Sequence, residues 1–89
     1  MKPIKRSRVF ENHFKKRISP HVVLLKQFEH RLRLFMNGER GYPLHDHALS
    51  GKLKGRRAFS VSGDIRVIYE ELEEAYVFLD IGTHSQVYM

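Results

Sequence analysis

Cysteine is absent from this 89-residue sequence. It can therefore build neither a disulfide framework nor a thiolate metal site. So small a domain usually needs such staples when it is secreted, and their absence favours the cytoplasm. No apolar core follows the basic start Met1-Lys2-Pro3, so a secretory leader is not expected. Apolar runs such as Val22 to Leu25 fall far short of the roughly 20 residues of a bilayer-spanning helix. Proline and glycine are sparse, at 3 and 6 residues. No repeat, linker or low-complexity tract divides the chain, so residues 1–89 are expected to form one domain. Basic residues are missing from the last quarter. No Lys or Arg follows Arg66, whereas Glu70, Glu71, Glu73, Glu74 and Asp80 do.

What is present is a basic, foldable chain. Hydrophobic residues make up 42% and charged residues 29%, an ordinary globular composition rather than a disordered one. Sixteen Lys and Arg against ten Asp and Glu leave a net charge of +6. On so small a surface this implies an anionic partner: nucleic acid, an acidic protein or an anionic membrane. The uneven distribution predicts one basic face and one acidic corner.

Residues 2–6 read as a short strand, which Pro3 confines to a strand start or a sheet edge. Ser7 is a candidate N-cap for a helix carrying Phe10, Phe14 and Ile18 on one face. Ser19-Pro20 reads as a second cap with proline at the first helical position. Leu24, Leu25, Phe28, Leu32, Phe35 and Met36 then form a stripe at helical spacing, ended by Asn37-Gly38. Gly41 to Gly55 reads as loop. Period-two alternation follows. Ala58–Val61 leads to a turn at Ser62-Gly63. Ile65, Val67 and Tyr69 alternate with Asp64, Arg66 and Ile68. After a turn near Glu73-Glu74, Ala75–Ile81 is a third strand. The fold class is α+β: a short N-terminal strand, two helices, then an antiparallel meander of three or more strands.

Three segments carry candidate chemistry, each at a loop or strand end. One is Asp46-His47-Ala48-Leu49-Ser50-Gly51, followed by the cations Lys52, Lys54, Arg56 and Arg57. The second is Gly63-Asp64-Ile65-Arg66. The third is Gly82-Thr83-His84-Ser85-Gln86-Val87-Tyr88. Each has a bland counterpart: an exposed histidine in an Asx turn, an aspartate in a glycine turn, a cation on a solvated sheet face. His45 reads as loop surface. A metal site from His45, Asp46, His47 and His84 is disfavoured, because no cysteine and no helical His-x-x-x-His spacing accompany them. No metal and no cofactor is expected.

The order Asp-His-x-Leu-x-Gly, then Gly-Asp-x-Arg-Val-Ile-Tyr, then Gly-Thr-His-Ser-x-x-Tyr resembles the YafQ-like branch of the RelE/ParE toxins, over the whole chain. The resemblance implies a RelE-like toxin domain and a metal-independent endoribonuclease that cuts messenger RNA, typically on the ribosome. The 2′-hydroxyl attacks the adjacent phosphate, which needs a base, an acid and cations. It assigns catalytic roles to His47, Asp64, His84 and Tyr88. It adds Arg66, by similarity to the RelE-branch arginine. Lys52, Lys54, Arg56 and Arg57 would be an RNA-binding strip, and Tyr88 could stack on a base. Where YafQ-like toxins often carry a further histidine and a tryptophan, this chain has Ser60 and Ile65, which moves the work onto His47, His84 and Arg66. The implied partners are a cognate antitoxin, messenger RNA and the ribosome, with no membrane and no small-molecule substrate. The alternative is a non-catalytic relative of the ParE type that inhibits DNA gyrase or another protein. A plain RNA-binding module lacks its usual signatures here, an RNP-type aromatic pair or a Gly-x-x-Gly loop.

Overall fold

The computed structural model describes residues 2–88. Pro3 immediately precedes β1 (Ile4–Arg6), where its missing N–H costs no ladder bond. Ser7 then caps α1 (Arg8–Arg17), its hydroxyl accepting the Phe10 N–H and donating to the Leu79 carbonyl. One side chain thus starts the helix and ties it to the sheet. Phe10 is fully buried and Phe14 stacks beside it at 5.9 Å.

Ser19-Pro20 does not start the second helix. The N–H groups of Ile18 and Ser19 both close on the Phe14 carbonyl, and that of His21 closes on Ile18. Pro20 therefore sits in the turn between helices, and α2 (Val22–Met36) begins after His21. Its end is as expected. The Asn37 N–H folds back onto the last helical carbonyls, and Gly38 takes φ +87°, a left-handed conformation natural to glycine.

The stretch read as loop holds more structure than its turn formers suggest. A two-residue strand, β2 (His47–Ala48), and a 3₁₀ turn at Gly51–Leu53 lie within it. So short a strand has no alternation to read, and its pairing with a later strand defines it. The meander then follows as β3 (Arg57–Ser62), β4 (Ile65–Glu71) and β5 (Tyr76–Gly82). The first turn lies one residue later than expected, at Gly63-Asp64, with φ +49° at Gly63. The tail also differs. Thr83 to Gln86 forms a capping box, each side chain satisfying the other's backbone N–H, and launches α3 (His84–Val87).

The strands form one five-stranded sheet in the order β1-β5-β4-β3-β2, with β1 parallel to β5 and the rest antiparallel. Both helices cover one face. Phe10, Phe28 and Phe35 meet Phe59, Val61, Val67, Tyr69, Phe78 and Ile81 there. Phe35 lies within 5.7 Å of Phe59, Tyr69, Tyr76 and Phe78, mostly edge to face. The opposite, open face has only a small cluster: Ala58, Ile68 and Val87, with Leu49 and Tyr88 at its rim. The acidic corner is the β4–β5 turn, where Glu71, Glu73 and Glu74 are exposed and Glu71 pairs with Lys2 at 3.0 Å. No helix is long and apolar enough to cross a membrane among the described residues.

Candidate active site

The sheet register places the first site residues. His47 pairs with Ala58, and Ser60 pairs with Arg66. Ala58 and Ile68 belong to the open-face cluster, so His47, Ser60 and Arg66 share that face, because partners in a ladder point the same way. The single turn of α3 then folds His84 and Tyr88 onto it. Together these elements enclose a cavity of about 450 Å³, lined by His47, Ser50, Lys52, Arg66, His84 and Tyr88 over a floor of Ala48, Leu49 and Leu53.

His47 is oriented from behind. Its Nδ1 lies 2.9 Å from the His45 carbonyl oxygen. A carbonyl only accepts, so Nδ1 carries a proton, and in the neutral ring Nε2 is the nitrogen with the lone pair. His45 presents that carbonyl from a left-handed conformation, φ +48°, which is uncommon for a residue with a Cβ. The local strain is held by the Leu44 and His45 N–H groups closing on Gly41 and by Leu44 buried beneath.

Asp46, named in the sequence as part of the Asp-His segment but given no catalytic role, anchors the loop. The Asp46 side chain is wholly buried. Its Oδ1 accepts from Arg57 Nε and Nη2, both at 2.8 Å, and its Oδ2 accepts from Tyr69 Oη at 2.6 Å. Burial, and then the Asp46 carboxylate, push the Tyr69 hydroxyl well above the usual tyrosine range. The hydrogen bond to Asp46 likewise raises Arg57. With Asp46 pulled toward the helix-covered side, the next residue is presented on the other face. That alternation was the available signal, hidden because β2 is so short.

His84 and Tyr88 stand one helical turn apart, rings at 4.4 Å, and the Arg66 guanidinium lies over the Tyr88 ring at 5.6 Å. The Tyr88 ring is therefore engaged inside the site. Its hydroxyl is buried and meets no partner among the described residues. Asp64 does not line the cavity. It is exposed at the hairpin turn and touches Arg66 from outside at 3.4 Å, a contact worth little in water.

Of the four clustered cations only Lys52 reaches the cavity. Lys54 is exposed beside it. Arg56 lies in a separate cleft with Val9, Leu79 and Asp80. Arg57 pairs with Tyr69 in the ladder, so it faces the helix side, where Asp46 holds it. Away from the site, a histidine–carboxylate contact, His13 with Asp80 at 2.6 Å, ties α1 to β5 alongside Arg17. Among the described residues, no three His, Cys, Asp or Glu side chains converge as a metal site would require.

A mixed five-stranded sheet with helices packed on one face is the fold of the small YafQ and RelE-like toxins. The chain belongs to the family described as the bacterial toxin of type II toxin–antitoxin systems, YafQ, whose sequence profile matches residues 2–89. Among solved structures, YafQ from Escherichia coli strain BL21(DE3) superposes with a TM-score of 0.83 at 22% identity, covering all of both chains. The E. coli DinJ–YafQ toxin–antitoxin complex matches with a TM-score of 0.75 at 26% identity, over 99% of this chain and 98% of that one. A copper-bound mutant toxin from Helicobacter pylori gives 0.76 at 24% identity, over 98% and 99%. Among curated protein sequences, none matches.

Proposed function

We propose that this toxin is a metal-independent endoribonuclease that cuts messenger RNA, on the ribosome and therefore in the cytoplasm. The observation that carries this reading is the open-face cavity, where His47 offers a free Nε2 beside His84, Arg66 and Lys52. The reaction balances on these groups. His47 Nε2 takes the proton of the 2′-hydroxyl, whose oxygen forms a bond to the adjacent phosphorus. The bond from phosphorus to the 5′-oxygen breaks, and His84 gives that oxygen a proton. The products are a 2′,3′-cyclic phosphate and a 5′-hydroxyl. Arg66 and Lys52 neutralise the charge that grows on the phosphorane oxygens. Tyr88 holds Arg66 and His84 by its ring, and Asp64 steadies Arg66 from the turn. Base, acid and cations are all side chains, so the scheme calls for no metal.

A cognate antitoxin follows from the same reading. The E. coli relative forms a toxin–antitoxin complex with DinJ, and an acidic, extended segment of such a partner would complement the basic surface and cover the cavity. The deciding experiment adds the protein to a purified translation system with a defined message and maps new 5′ ends by primer extension. New ends that vanish with His84→Ala support the reading, and cutting of free RNA that persists in excess EDTA supports its independence of metal. Growth arrest without new ends, persisting when both His47 and His84 are replaced, would instead place the target on gyrase or another protein.

A further inference from the structure

Beside α2 lies a cleft that the catalytic scheme does not use. It measures about 660 Å³ and is lined by Lys26, His30, Arg31 and Leu34 on the helix and by Tyr42 and Pro43 on the loop. Tyr42 is 83% exposed, more than any other large apolar side chain described. Its one aromatic neighbour is His45, edge to face at 5.6 Å. A ring held this far out contributes little to the core.

The ring nevertheless stands on a fixed support. Arg31 Nη1 donates to the carbonyls of Pro43 at 3.1 Å and Ser60 at 3.0 Å. Leu44 is fully buried, and its carbonyl accepts the Ser60 N–H at 2.7 Å. Anchored in this way, Tyr42 needs little further ordering to receive a ligand. Among the described residues no carboxylate lies within ion-pair distance of Lys26 or Arg31, so their charge is free for an anion.

The cleft is also linked to the site by the contact of Tyr42 with His45. His45, against which Tyr42 leans, lines a smaller cavity of about 190 Å³ with His47, Gly63 and Arg66. His47 and Arg66 line the catalytic cavity as well. Tyr42 thus meets His45, His45 lines a cavity with His47 and Arg66, and those two line another with His84. Exposed rings spaced along a cationic track suit single-stranded RNA, whose bases stack while its phosphates meet the charges. A peptide adding as a strand would need free backbone donors. Here the N–H groups of Leu44, His45 and Asp46 already close on Gly41 and Arg40.

We propose that the Tyr42–Lys26–His30 cleft is an RNA subsite, which takes a nucleotide flanking the scissile phosphate, its base on Tyr42 and its phosphate at Lys26. The proposal rests on the ribonuclease reading, so its test separates the two. Binding is measured by fluorescence anisotropy with 2′-O-methylated oligoribonucleotides, which cannot be cut, and cleavage is measured separately with unmodified message. Tyr42→Ala should weaken binding of a long oligonucleotide about 5- to 100-fold and leave a dinucleotide unaffected. Tyr42→Phe should restore it, and Lys26→Ala should lower the salt dependence. Equal affinity of parent and Tyr42→Ala for the long oligonucleotide overturns the subsite. So does unchanged RNA binding together with weakened binding of an acidic peptide, which would give the cleft to a protein partner. A parent that binds RNA through Tyr42 but cuts no message supports the subsite and counts against the ribonuclease reading alone.

Discussion

On the helix-covered side of the sheet, Phe10, Phe35, Phe59, Tyr69 and Phe78 leave almost no surface to water. On the other side, Ala58, Ile68 and Val87 bury only a small patch, and His47, Arg66, His84 and Tyr88 stand around it. The same three strands supply both faces, since neighbouring residues such as Arg66 and Val67 point in opposite directions. The difference is one of coverage. Two helices of 10 and 15 residues close the first face, whereas a four-residue helix and a 3₁₀ turn only rim the second. Stability is concentrated where coverage is complete, and reactive groups can stay solvated where it is not. The two sets of residues should then respond differently to substitution.

The largest separation is expected at His84. His84→Ala should lower the cleavage rate about 10²- to 10⁴-fold without moving the thermal midpoint, because the side chain is exposed. A matching fall in stability would break the contrast. Phe35→Ala should do the reverse, costing about 3–5 kcal/mol in urea denaturation while each folded molecule keeps its activity.

Tyr69 sharpens the comparison because it joins the faces: its ring lies in the core, and its hydroxyl holds Asp46, one residue before His47. Tyr69→Phe should cost about 1.5–3 kcal/mol, the usual worth of a hydrogen bond to a charged group, and loosen His47. It also carries a pH signature. Burial, then Asp46, raise the folded-state value for this hydroxyl, so the folded chain holds the proton more tightly than the unfolded one. The stability this provides is present below about 10, the ordinary tyrosine value, and is lost as pH rises through the raised one. Urea midpoints compared between about pH 8 and pH 11 should fall less in Tyr69→Phe than in the parent. Equal slopes would remove Tyr69 from the account. The smallest effect belongs to Thr83→Ala, which removes the α3 cap at about 0.5–2 kcal/mol. It should appear as faster amide exchange at residues 84–88 and weaker cleavage, with the sheet amides unchanged.

Much of the helix-covered side could be read along the chain. Phe10, Phe14, Phe28 and Phe35 recur at helical spacing, and Val67 and Tyr69 alternate with Arg66, so their place on the core side and its place on the opposite face followed from period alone. The open face was legible only in fragments. His47 and His84 stood out as histidines without an apolar pattern, but the elements carrying them are two and four residues long, too short to show periodicity. The box from Thr83 to Gln86 was a usable signal for the last helix. Arg57 misled, since clustering with Lys52, Lys54 and Arg56 suggested a common strip, whereas ladder alternation turns it toward Asp46. Nothing local marked Tyr42, and the Asp-His motif did not reveal that Asp46 anchors the loop.

By itself, then, the sequence determined the fold class and the aromatic core, because these rest on periodicities that local chemistry enforces, and its ordered motifs carried the resemblance to the toxin family. The tertiary structure decided which charges are free, which histidine nitrogen is available and which residues share a cavity. Asp46 meets Arg57 and Tyr69 across 11 and 23 residues. Arg66 meets Tyr88, and His47 meets Ala58, only through strand pairing and the final helical turn. Contacts so far apart in the chain depend on how the sheet closes, and no local pattern encodes them.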